Sequence, residues 1–118
     1  MELYTIQMAQ WRRCAPLGIL FVDTTFKKET AFSPTKQMVH SYKYGDMGQE
    51  EYTERYNALL AKSQEESPHE WEALFEQDNV AIGCMCRAGV FCHRHLCVTK
   101  ILAYAEERGL PCEYMGEI

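Results

Sequence analysis

Positive charge is scarce in this sequence. Twelve lysines and arginines stand against 17 aspartates and glutamates over 118 residues, a formal net charge of −5. A non-specific nucleic-acid binder needs clustered cations to neutralise phosphates, and attraction to an anionic membrane needs the same. Both partners are therefore set aside. Apolar runs long enough to span a membrane are also missing. Met1-Glu2-Leu3-Tyr4 carries no basic leader, and Gln7 and Gln10 break the first apolar stretch, so no secretory signal is expected. There is no internal repeat, low-complexity tract or linker. The expectation is a single domain over residues 1–118, cytoplasmic, with reduced thiols.

What is present fits a soluble globular protein, with 47% hydrophobic and 25% charged residues. A chain of this length buries roughly two-thirds of its unfolded surface and needs no disulfide or metal staple. Leu3-Tyr4-Thr5-Ile6 and Ile19-Leu20-Phe21-Val22 read as strands, as does Val80-Ala81-Ile82-Gly83-Cys84, and Cys112 to Met115 reads as a short fourth. Residues 8 to 15 allow a helical turn or two before Pro16 and Gly18. Residues 26 to 48 are the least regular stretch and read as a long surface loop with aromatic anchors, with a lid or binding loop as the alternative. Residues 50 to 62 form an amphipathic helix with Tyr52, Tyr56, Leu59 and Leu60 on one face. Ser67-Pro68-His69-Glu70 predicts a second helix start with a capping box. His93 to Glu107 is a third helix, stopped by Gly109 and Pro111. Strands alternating with helices predict an α/β domain of Rossmann-like type, its mostly parallel sheet of about four strands flanked by helices.

Residues 84 to 97, CMCRAGVFCHRHLC, hold four of the six cysteines. In an open parallel sheet, ligands gather beyond the carboxyl ends of the strands. Cys84 falls at such an end, and Asp23-Thr24-Thr25 falls at another. Cys92-His93-Arg94 begins the helix that follows. A helix N-terminus offers free N–H groups and partial positive charge, while Arg87 and Arg94 add forked cations. In that field the Cys92 thiol tends towards thiolate, and His93 or His95 suits an acid or base.

The site as drawn would take a small anionic, nucleotide-like ligand without a resident cofactor. Cys92 or Cys86 would be the nucleophile and His93 the acid/base, with Arg94 and Arg87 as anion clamps. Asp23 would orient the histidine or hold a ligand hydroxyl, with Thr24, Thr25, Gly89 and His95 completing the ligand contacts. Zinc is the competing reading, through Cys84, Cys86, Cys92 and His95, or His93 in its place. The spacing lacks the paired C-x₂-C knuckles of common zinc modules. A phosphatase-type Cys-x₅-Arg loop is absent, because Val90 and Cys92 occupy the positions where arginine would stand. Cys14, Cys97 and Cys112 read as small buried hydrophobes.

The pattern Cys84, seven intervening residues, then Cys92-His93-Arg94 resembles the DUF488 family. Members of that family occur in bacteria and phages and show a strand ending in cysteine with a downstream C-H-R. Leu3-Tyr4-Thr5-Ile6, Val22-Asp23 and the strand after Gly109 are also similar to it. The resemblance implies the same fold and site, and a small phage or bacterial member. Three departures stand out: Cys86 replaces a common acidic residue, Gln7 to Gln10 replaces a Gly-His-Ser-like turn, and Thr25 replaces a common arginine. A non-catalytic protein that sequesters a host signalling nucleotide or blocks a host protein is the alternative function. A zinc-stabilised interaction module is the third.

Overall fold

The computed structural model describes residues 1–85 and 91–118. The expectations placed on Cys86, Arg87 and Gly89 fall outside the described residues. Four strands, β1 (Glu2–Gln7), β2 (Leu20–Asp23), β3 (Asn79–Cys84) and β4 (Glu113–Glu117), form one sheet in the order β2-β3-β1-β4. Every pairing is parallel. The α/β reading holds in full. β3 lies inside the sheet, and Val80 to Cys84 are all buried, as its unbroken apolar run requires.

Two cores flank the sheet. Leu3, Val80 and Ile82 pack against the helices α1 (Lys36–Lys43), α2 (Gln49–Glu66), α3 (Pro68–Leu74) and α4 (His93–Arg108). Ile6 and Ala81 face a smaller cluster with Cys14 and Ile19, contributed by the short 3₁₀ segments between β1 and β2 and their flanks. Side chains alternate along a strand, so the odd residues of β1 and the even residues of β3 look towards α4. That parity decides what reaches the site.

α4 forms on a regular stripe, Arg94, Cys97, Val98, Ile101, Tyr104 and Ala105, all buried. It ends at Gly109, whose φ of 65° closes the last turn in the left-handed conformation. Trp71 of α3 is fully buried against Phe32 and Tyr104, and its indole N–H donates to Ser63 Oγ.

Two local expectations differ from the structure. The stretch 26 to 48 is not all loop, because Thr35 caps α1 by accepting the Met38 N–H at 3.1 Å. Its Met38, Val39 and Tyr42 form a short apolar stripe that was easy to miss among polar residues. At α3 the Ser67 side chain makes no capping bond. Glu70 instead accepts the backbone N–H of Ala31 at 2.7 Å, tying the preceding loop to the helix. Cys112 is half-buried, whereas Cys14 and Cys97 are buried as expected. No helix among the described residues is long and apolar enough to cross a membrane.

Candidate functional site at the carboxyl ends of the strands

The connection after β1 covers one face of the sheet and α4, after β3, covers the other. The crevice beyond the carboxyl ends of these neighbouring strands is therefore the topological switch point. Two polar clusters meet there, one following β2 and one beginning α4.

Thr24 and His93 make the junction. Thr24 continues β2 by donating its N–H to Gly83 O at 2.9 Å, and its hydroxyl donates to the same carbonyl at 2.8 Å. The Thr24 hydroxyl proton is thereby committed, and the Thr24 carbonyl can only accept. His93 Nε2 lies 2.9 Å from both oxygens. Both contacts require Nε2 to carry a proton, so in the neutral ring Nδ1 holds a lone pair. Nδ1 lies 3.9 Å from Cys92 Sγ. Burial, the largest influence, lowers the His93 pKa. Arg94 adds to that effect, while Cys84, the Thr24 bond and Asp23 oppose it.

The histidine is oriented by Thr24, not by Asp23 as the sequence suggested. Val22 packs with the helices and Phe21 with the opposite cluster. Alternation then sends Asp23 away from α4 and Thr24 towards it. The Asp23 carboxylate accepts the Thr25 N–H at 2.9 Å. It acts on His93 only through its charge.

Arg94 is fully buried. Its guanidinium donates to Cys84 Sγ at 3.0 Å and grips Glu117 through Nε to Oε1 at 2.8 Å and Nη2 to Oε2 at 3.2 Å. Burial pulls its pKa down, but the Glu117 and Cys84 hydrogen bonds outweigh that and the net shift is upward. The arginine expected to clamp a ligand anion thus turns to a protein carboxylate and a thiol. Glu117 escaped the sequence reading altogether. Leu3 pairs with Tyr114 and Tyr4 with Gly116, so Met115 is an extra residue in β4. The bulge reverses the alternation and brings Glu117, opposite Thr5, onto the α4 side.

Beside Cys92 and His93 opens a cavity of about 300 Å³. Its wall is mostly apolar, with Val39, Tyr42, Tyr52 and Phe91, while Thr25 and Lys27 supply polar groups. Tyr42, Tyr52 and Phe91 form a three-ring cluster with centroids 5.2 to 5.8 Å apart. The ligand atoms of Cys84, Cys92 and His93 all lie within 4.8 Å of one another. Among the described residues this is the cluster able to hold a metal ion, and of the two histidines the sequence offered it takes His93 and not His95. His95 donates its backbone N–H to Cys92 O within the first turn of α4.

A family model, DUF488-N3a, described as the active DUF488-N3 subclade, matches residues 7–106. No curated protein and no solved structure shows a significant match. The matched span holds the Cys84, Cys92, His93 and Arg94 cluster and stops short of Glu117.

Proposed function

The chain belongs to the DUF488 family, and on that premise we propose that it is a thiol-dependent enzyme acting on a small molecule that has a flat ring and an anionic group. One observation carries this reading: the Cys92–His93 pair lies in the wall of an aromatic-lined cavity. The ring enters among Tyr42, Tyr52 and Phe91, where stacking and burial favour it. The anionic group meets Lys27 and the start of α4. Nucleotide-like ligands combine both features.

Cys92 is the nucleophile. His93 Nδ1 removes its proton and later returns one, and Thr24 holds the ring in the required tautomer. Lowering of the His93 pKa by burial keeps the imidazole neutral and able to act as a base. Arg94 keeps positive charge behind Cys84 and Cys92. The description of the matching model as an active subclade supports catalysis over binding alone. A reducing, cytoplasmic setting and a bacterial or phage source both accord with the family resemblance.

The test is a panel of nucleotides offered to wild-type protein and Cys92→Ser, followed by thermal shift and product analysis. Wild type converts a ligand that Cys92→Ser binds but leaves unaltered. Turnover that survives in Cys92→Ser would sink the nucleophile role. Recovery of every bound ligand unaltered from wild type would favour the sequestering protein instead.

A second reading has its own observation. His93 donates from Nε2 to a backbone carbonyl, its Nδ1 lies 3.9 Å from Cys92 Sγ, and a ring nitrogen lies within 4.8 Å of both the Cys84 and the Cys92 sulphur. That is how metal-bound histidines are commonly held. Zinc would be held by Cys84, Cys92 and His93, with Cys86 as the fourth ligand the sequence offers or that position left to substrate. Elemental analysis of protein purified without chelator decides it.

A further inference from the structure

Cys84 has no role in the thiol reading above, yet its sulphur lies within 4.8 Å of the Cys92 sulphur. A disulfide bond is about 2.05 Å long, so closing one between them takes movement of the two side chains. Each sulphur has a different activating neighbour. Arg94 donates to Cys84 Sγ at 3.0 Å and is held there by Glu117. His93 Nδ1 faces Cys92 Sγ at 3.9 Å. A fixed cation beside one thiol and a base beside the other favour charge on sulphur. The two are also ordered in depth: Cys92 lines the aromatic cavity, and the fully buried Cys84 does not.

We propose that Cys92 and Cys84 are the attacking and resolving thiols of a dithiol site, and that its substrate class is a small organic disulfide bearing an apolar ring. The proposal rests on Cys92 as nucleophile and adds a second sulphur and a reaction. In the first step His93 Nδ1 takes the Cys92 proton and the thiolate attacks one sulphur of the substrate. A Cys92–substrate disulfide forms, the substrate S–S bond breaks, and the released thiolate takes the proton from His93. In the second step the Cys84 thiolate attacks Cys92 Sγ. The Cys84–Cys92 bond forms, and a second substrate thiol leaves with the proton Cys84 gave up. The substrate gains two electrons and becomes two thiols, while the protein dithiol loses two and becomes a disulfide. Neither step needs another oxidant.

The experiment uses full-length, fully reduced protein and 4,4′-dithiodipyridine, an aromatic disulfide whose released thione absorbs light. Products are located by peptide mapping without reduction. Wild type should yield a Cys84–Cys92 cross-link with two thione equivalents released at that site. Cys84→Ser should release one equivalent and stay as the mixed disulfide on Cys92. A mixed disulfide that persists on Cys92 in wild type, or a Cys86–Cys92 cross-link, overturns the role of Cys84 while leaving Cys92 as nucleophile. An unreacted Cys92 in folded wild type overturns both readings. Retained zinc that protects Cys84 and Cys92 from the reagent overturns the dithiol site too. Cys84→Ser puts a hydroxyl at a fully buried position, and mapping of the wild type decides the matter even where that variant does not fold.

Discussion

Arg94 and Glu117 form a two-point ion pair, at 2.8 and 3.2 Å, that joins the first turn of α4 to the end of β4. The arginine side chain is fully buried and the glutamate 19% exposed. Removing one partner strands a charge, whereas replacing both with apolar groups does not. Glu117→Ala should therefore destabilise the fold by up to about 3 kcal/mol, the lower end for buried pairs because Glu117 is partly wet. The double variant Arg94→Met with Glu117→Leu should recover most of that loss. Denaturant unfolding of the two variants and wild type checks it; a double variant no better than Glu117→Ala would refute the stranded-charge account.

Met115 is the extra residue of β4. Deleting it should remove the bulge and leave Glu117 opposite Thr5 on the α4 side, because Gly116 then follows Tyr114 directly in a regular ladder. Combined with Glu117→Ala, the deletion should therefore add its own cost to that of the lost ion pair. A double variant that costs little more than either change alone in unfolding measurements would mean that the bulge is needed to hold the ion pair.

Gly83 marks a close approach in the sheet. A Cβ there would meet the Phe21 ring and lie 3.2 Å from Ile6 Cγ2. Gly83→Ala should lose about 1–3 kcal/mol through overpacking. Adding Phe21→Leu should restore part of it, because the ring is the nearer of the two obstacles. Thermal unfolding of the single and double variants provides the readout.

Thr24→Val should loosen His93 without unfolding the protein. Gly83 O keeps the Thr24 N–H, and His93 Nε2–H keeps the Thr24 carbonyl. The expected cost is about 1–3 kcal/mol, because the hydroxyl gives up two hydrogen bonds, one to Gly83 O and one from His93. The rate of iodoacetamide reaction at Cys92 should fall several-fold, and its pH profile should move. An unchanged Cys92 profile would show that Thr24 does not set the dyad.

Alkaline pH should weaken the fold through Cys97 and Tyr56. Burial, with Cys84 adding and the Tyr56 bond opposing, pushes the Cys97 thiol from 9.0 to about 12. Burial also raises Tyr56 well above 10.0. Between about pH 9 and pH 12 the unfolded chain has released the Cys97 proton and the folded chain has kept it. The unfolded state then binds fewer protons, so stability is complete below the lower value and falls as pH rises through the window. Cys97→Ala should reduce the loss that begins near pH 9.0, leaving the part due to Cys14 and Cys112, which burial also raises, and the Tyr56 part from 10.0 upward. Stability measured from pH 7 to 11 in both proteins tests this.

The amino-acid sequence by itself determined the class of fold and the neighbourhood of the site. The unbroken apolar run Val80 to Cys84 suits a strand inside a sheet, and the 3.6-residue stripe from Arg94 to Ala105 suits a helix packed on it. Cys92-His93-Arg94 at the strand-to-helix turn was legible for the same reason, because local pattern places residues along the chain. Which face a side chain takes at the end of a strand is a matter of register, and partners distant in sequence set it. Tertiary structure therefore chose Thr24 over Asp23, turned Arg94 inward to Cys84, and used one extra residue in β4 to bring Glu117 across 23 positions to meet it. A parallel strand pairing has no turn signature to announce its register, and a bulge announces itself only in the ladder it interrupts.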